Sequence, residues 1–272
     1  MLYKNEQVVD EVNYKALVGD GETVIDSTGE TRKLSRKSRK EPFGAAGMPP
    51  FEESGFPVIP RSEWRARCEE MVRLKSRVSD MVKFPSLNQS QTHFCWANGV
   101  VHAMMIKRAE QGNPYIPLSP ASVAAPINNY QNEGGWGEEA VKYAVKYGVA
   151  RQSVWPANYY KNKQYLEAGL KDGANFKILE VWDGRSNNFD QLATLCLMRK
   201  PGPIGLNWWG HLICFCDLVE IESNHWGIRI RNSWGENDGA KNDHGFGGFR
   251  VLTEKKSLGD FQGIRQVTAL AA

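Results

Sequence analysis

Of the five cysteines in this 272-residue chain, Cys95 stands where a thiol can be made reactive. It follows the polar, turn-forming run Asn88-Gln89-Ser90-Gln91-Thr92-His93-Phe94. It opens a segment in which Val100, Val101, Met104 and Met105 recur at helical spacing until Gly112 and Pro114 stop it. The free amides at a helix N-terminus favour an anion, so a thiol there ionises more readily, and more so beside an imidazolium. A thiolate in that position is a nucleophile that needs a base and a group to orient the base. His211 opens the apolar run 212–221, and Asn232 ends the alternating run 226–231. Two neighbouring antiparallel strands bring such residues side by side. The asparagine amide oxygen then accepts one imidazole N–H and fixes the ring, the Cys–His–Asn form of nucleophilic catalysis.

Holding these residues requires a helical half and a stranded half. After the Cys95 helix, residues 137–147 read as a second one. It has Glu138 and Glu139 in the first turn, Ala140, Val141, Ala144 and Val145 on one face, and Gly148 at the stop. The segments 203–208, 212–221, 226–231 and 246–252 read as strands. Helices followed by antiparallel strands make an α+β pattern.

The first 58 residues have a different character. Arg32, Lys33, Arg36, Lys37, Arg39 and Lys40 crowd into nine positions, so the formal net charge of +3 hides a slightly acidic remainder. Such a run reads as a solvated segment or as a contact for an acidic partner; no aromatic residue interleaves it, which argues against nucleic acid. Pro42, Gly44, Gly47, Pro49, Pro50, Gly55 and Pro57 then make 41–58 an extended linker. The expected division is a basic, Pro/Gly-rich arm or prosegment over 1–58 and one domain over 59–272, with a helical lobe to about 170 and a β lobe from about 171.

Composition excludes several classes. With 41% apolar and 24% charged residues the chain is not broadly disordered. No apolar run approaches the roughly 20 residues that span a bilayer, and the first ten residues are too polar for a signal-peptide core. An odd, sparse set of cysteines does not make a disulfide framework and suits an intracellular, reducing compartment. Cys214 and Cys216 share a strand face, and with Cys68 and Cys196 they read as structural thiols. The run Glu236-Asn237-Asp238-Gly239-Ala240-Lys241-Asn242-Asp243 has the composition of a calcium loop without its spacing, and reads as a surface insertion.

The ordered set resembles the papain-like cysteine peptidases over about residues 58–255. Asn88-Gln89 before Cys95-Trp96 resembles the family's nucleophile segment, and Gly134-Gly135-Trp136 its substrate-binding glycine turn. Gly202-Pro203-Ile204 resembles the strand entering the β half, Gly210-His211 the histidine segment, and Asn232-Ser233-Trp234-Gly235 the asparagine segment. The resemblance implies a two-lobed fold with a β-barrel-like second lobe, and a thiol endopeptidase acting through an acyl-enzyme. Cys95 is then the nucleophile, His211 the base and later the acid, and Asn232 its orienting group. Gln89 is the oxyanion donor together with the Cys95 N–H. Gly134, Gly135, Trp136 and His93 line the substrate cleft, and Trp234 shields the His211–Asn232 bond. No cofactor or metal is implied.

Thr92, His93 and Phe94 depart from the family's cysteine, glycine and small residue; this removes the usual disulfide and puts two bulky side chains at the cleft. The expected partner is a peptide or protein substrate, with no membrane. Two other readings follow from the unusual arm. In one, the chain is a structural or interaction subunit of a larger assembly, such as a virion, with the basic run 32–40 as its anchor. In the other, the arm lies in the cleft and silences an intact site.

Overall fold

A computed structural model describes residues 1–18, 22–37 and 48–269. The elements alternate in character along the chain. A two-residue strand β1 (Val8–Val9) and a hairpin of β2 (Thr23–Ile25) and β3 (Thr31–Lys33) come first. Helices α1 (Arg61–Arg73), α2 (Cys95–Glu110), α3 (Ala121–Ile127), α4 (Gly137–Lys146) and α5 (Leu166–Gly173) follow. Then come β4 (Ile178–Gly184), α6 (Phe189–Leu197), β5 (Gly202–Leu206), β6 (His211–Glu222), β7 (His225–Arg231), β8 (Phe249–Thr253) and β9 (Phe261–Val267). The architecture is α+β.

The main sheet has seven strands in the order β1-β8-β7-β6-β5-β9-β4. Its neighbours pair antiparallel except β1 with β8, which is parallel. The edge strands β1 and β4 are not paired with each other among the described residues. β6 is buried on both faces. Leu212, Cys214 and Cys216 point into a core with α2 and α4, while Ile213, Phe215 and Leu218 point into a second core with α1 and α6. All five cysteines are free thiols. No helix among the described residues is long and apolar enough to cross a membrane.

Residues 1–18 and 22–37 are built into this body. β1 extends the sheet, with Val8 opposite Val251. The Arg229 guanidinium forms a wholly buried ion pair with Glu6 at 2.7 Å and stacks over the Tyr3 ring at 4.0 Å. The basic run, expected to be solvated or to face a partner, has Arg32 and Arg36 buried; Arg39 and Lys40 lie outside the described residues. Of the linker expected over 41–58, residues 41–47 also lie outside them. Phe51–Ser54 forms a short 3-10 turn with Phe51 buried, and Asp183 N–H donates to Pro49 O at 2.9 Å.

Candidate active site

Helix α2 brings Cys95 to the sheet because its neighbour face is small. A Cβ on Gly99 would lie 2.3 Å from Leu212 Cδ2 and 3.2 Å from the Ile213 backbone, so only glycine lets α2 press on the start of β6. Cys95 is the first helical residue, and its sulfur contacts the backbone of Leu212, the residue after His211. Neither Cys95 nor His211 is exposed.

His211 begins β6 and Asn232 follows β7, its antiparallel neighbour. His211 Nε2 and Asn232 Oδ1 are 2.8 Å apart. The amide is fixed from its other end, where Asn232 Nδ2 donates to Asp238 at 3.0 Å. Asp238 is itself buried and held by both guanidinium nitrogens of Arg250, at 2.6 and 2.7 Å. With Nε2 engaged, Nδ1 has no hydrogen-bond partner among the described residues. The Trp234 and Trp209 rings cover the imidazole at 5.0 and 4.9 Å between centroids.

The cleft is filled by the chain itself. Gln89 Nε2 donates to Lys33 O at 3.0 Å and to Thr92 O at 3.1 Å. The Ser35 backbone N–H and hydroxyl contact the Cys95 sulfur, and the hydroxyl donates to His93 O at 2.8 Å. Arg36 bridges to Gly135 in a parallel sense; its N–H donates to Gly210 O and Lys37 N–H to Gly135 O, both at 2.9 Å. A Cβ on Gly134 would lie 2.0 Å from Ser35 O, so the glycine turn is needed for the strand to pass. The Lys37 ammonium lies 4.5 Å from the Trp136 ring centroid. Gln89, Cys95, His93, Gly134, Gly135 and Trp136 are thus gathered around residues 33–37, while His211, Asn232 and Trp234 contact one another. Phe94, expected at the cleft, instead packs in the core against Trp96 and Tyr160.

This enclosure sets the charge state. Burial pushes the Cys95 thiol up, against the contacts with Leu212 and Ser35 and the Arg36 charge. Burial pushes His211 down to about 4, against its Asn232 bond and the Asp238 charge. The pair is therefore neutral thiol and neutral imidazole near neutral pH, because neither ion is solvated.

Sequence reasoning missed Asp238, read as part of a surface insertion. The loop is tied inward instead: Asp238 and Asn242 are buried, and Asn242 Nδ2 donates to Ser79 O and Val82 O. No group of three side chains suited to a metal occurs among the described residues.

Known structures place this geometry in context. Xylellain, a cysteine protease from Xylella fastidiosa, superposes with a TM-score of 0.54 at 18% identity, over 72% of this chain and 85% of that one. The chain has the papain-like fold. Procathepsin L 3 of Tenebrio molitor larval midgut gives 0.56 at 16% identity over 79% and 73% of the two chains. Procathepsin B S9 from Trypanosoma congolense gives 0.56 at 13% identity over 85% and 86%. No family model matches the chain, and no curated protein matches it in sequence. The papain-like likeness thus lies in the path of the backbone.

Proposed function

We propose that the chain is a papain-like cysteine endopeptidase held latent by its own residues 33–37. The observation that carries this reading is the pairing of Gln89 Nε2 with Lys33 O while a Ser35 N–H faces the Cys95 sulfur. A donor site for an oxyanion is occupied by a carbonyl of the chain, and Ser35 of the same segment lies against the thiol. The segment therefore blocks the site. Procathepsin L 3 and procathepsin B S9 are by name precursors, which agrees with a latent form.

Once the segment leaves, water and substrate reach the pair. His211 Nδ1 takes the Cys95 proton, and the thiolate attacks a peptide carbonyl carbon. The tetrahedral oxyanion accepts from Gln89 Nε2 and the Cys95 N–H. His211 returns the proton to the leaving amine, leaving a thioester. Water, deprotonated by His211, then releases the acid and restores the thiol. Asn232, clamped by Asp238, holds the imidazole ring throughout.

The test is cleavage of a peptide library by the full chain carrying Arg32→Ala, which loosens the segment, with and without Cys95→Ala. Cleavage that disappears with Cys95→Ala supports the reading, and no cleavage in either contradicts it. A second reading, a papain-like interaction subunit without turnover, draws on the anchorage of the arm. β1 pairs with β8, and Glu6 pairs with Arg229, so the blocking segment is fastened upstream of the cleft. It predicts that no release treatment yields cleavage.

A further inference from the structure

The cleft has a side pocket whose present occupant is informative. The Arg36 side chain, 1% exposed, enters it and donates from two nitrogens to two acceptors, Nη1 to Asn207 Oδ1 and Nη2 to Asp260 Oδ1. The walls are glycine. A Cβ on Gly205 would lie 2.0 Å from Arg36 Nε, and one on Gly259 would lie 3.4 Å from Nη2, so any larger residue at Gly205 closes the pocket. Asp260 is 3% exposed and sits beside the start of β9. A carboxylate in that setting is costly to bury without a cation, since removing one partner of a buried pair leaves the other charge unsolvated. The backbone frame is also supplied, because Arg36 N–H donates to Gly210 O next to His211.

We infer that this pocket of Gly205, Asn207, Gly259 and Asp260 is a specificity site for an arginine side chain, and that substrates of the released enzyme are peptides presenting arginine beside the reacting bond. The inference rests on the peptidase reading and names the substrate class. Arg36 is the internal stand-in for that side chain. When the segment leaves, Asp260 is left without its cation, and a substrate arginine restores the pair while leucine or phenylalanine leaves it unpaired. Arginine is favoured over lysine because Asn207 and Asp260 are reached by two separate nitrogens of one planar fork, which a single ammonium cannot match. Asp260 is the specificity-determining residue and takes no part in the bond chemistry.

The experiment uses the full chain with Arg36→Ala, which empties the pocket and leaves Asp260 in place. It is treated with peptidyl epoxides that differ in one side chain, arginine, lysine or leucine, and the rate of Cys95 alkylation is read by mass spectrometry. The arginine probe is expected to react about tenfold to a hundredfold faster than the leucine probe, with lysine between. Adding Asp260→Asn should bring the arginine and leucine rates together. Equal rates, or a leucine preference, with Asp260 intact would overturn the inference. A second readout is independent of the thiol. Calorimetry of the Arg36→Ala, Cys95→Ala chain with short peptide amides should detect the arginine peptide and not its leucine analogue. Binding of the arginine peptide without any alkylation upholds the pocket and removes the peptidase reading. Alkylation without discrimination does the reverse.

Discussion

The side-chain amide of Gln89 donates to the carbonyl of Lys33 at 3.0 Å, although the two residues are 56 positions apart in the chain. That bond joins the N-terminal arm to the group proposed to hold an oxyanion. On the proposed reading, seating of the arm and access to that donor are coupled. Anything that weakens the seating of residues 33–37 should expose Cys95.

Arg32 tethers that segment at its N-terminal end. It is 2% exposed, pairs with the buried Asp26 at 2.7 Å, and donates to Asn88 Oδ1 at 2.8 Å and Trp234 O at 3.0 Å. Arg32→Ala should cost about 3 kcal/mol, as for breaking a buried pair from one side. The loss should appear as faster alkylation of Cys95 by a small thiol reagent and as a lower melting temperature.

Gly134→Ala acts by steric conflict instead. The added Cβ meets Ser35 O at 2.0 Å, and that oxygen is backbone. The arm must shift while the body is unchanged, so the Cys95 alkylation rate should rise. Hydrogen exchange at the Arg36 and Lys37 amides should accelerate with it. Unchanged exchange there would show that the segment does not pass Gly134 as described.

Asp238 positions rather than reacts. Asp238→Asn keeps the shape but weakens the grip on Asn232 Nδ2 and on Arg250. A hydrogen bond to a charged group contributes about 1.5–3 kcal/mol, so kcat of the released enzyme should fall about tenfold to a hundredfold, with KM little changed. A purely structural role would instead lower stability with kcat intact.

Acid should favour release. In the closed state His211 is held down to about 4, against about 6.5 for a solvated histidine. It is enclosed by Trp209, Trp234 and Asn232, with Asp238 and Arg250 the charged groups acting on it. Between those two values the open or unfolded chain binds a proton that the closed one does not. The stability contributed by neutral His211 is therefore present above about pH 6.5 and is lost as pH falls toward 4, by about 3 kcal/mol at most. Melting temperature should drop across that window, and the Cys95 alkylation rate, corrected for thiolate content, should rise. His211→Gln should flatten the excess.

The helices α2 and α4 and the strands β5 to β8 were legible because their apolar residues repeat at 3.6 or run together, and because Gly and Pro mark their ends. Cys95, His211 and Asn232 were legible as the ends of those elements. α1 was not, since among its residues only Trp64 is buried and its surface is charged. β4 and β9 escaped because they gain their identity from pairing with each other across 77 to 89 residues. The largest difference concerns Arg32 and Arg36. Six basic residues in nine read as solvated or as a contact for an acidic partner, because a sequence lists charges and not their partners; Asp260 lies 224 residues from Arg36. Asp238 was hidden in the same way, within a run whose composition suited a surface loop.

The central claim is a nucleophilic Cys95 shut in by residues 33–37. It is tested most directly by exposing the full chain and its Gly134→Ala variant to an epoxide-type thiol-peptidase inhibitor and mapping all five cysteines. The account predicts one adduct, on Cys95, formed slowly in the unaltered chain, faster in Gly134→Ala, and lost when His211 is replaced by alanine. No adduct on Cys95 in the variant, or alkylation spread over Cys68 and the other thiols at similar rates, would contradict it.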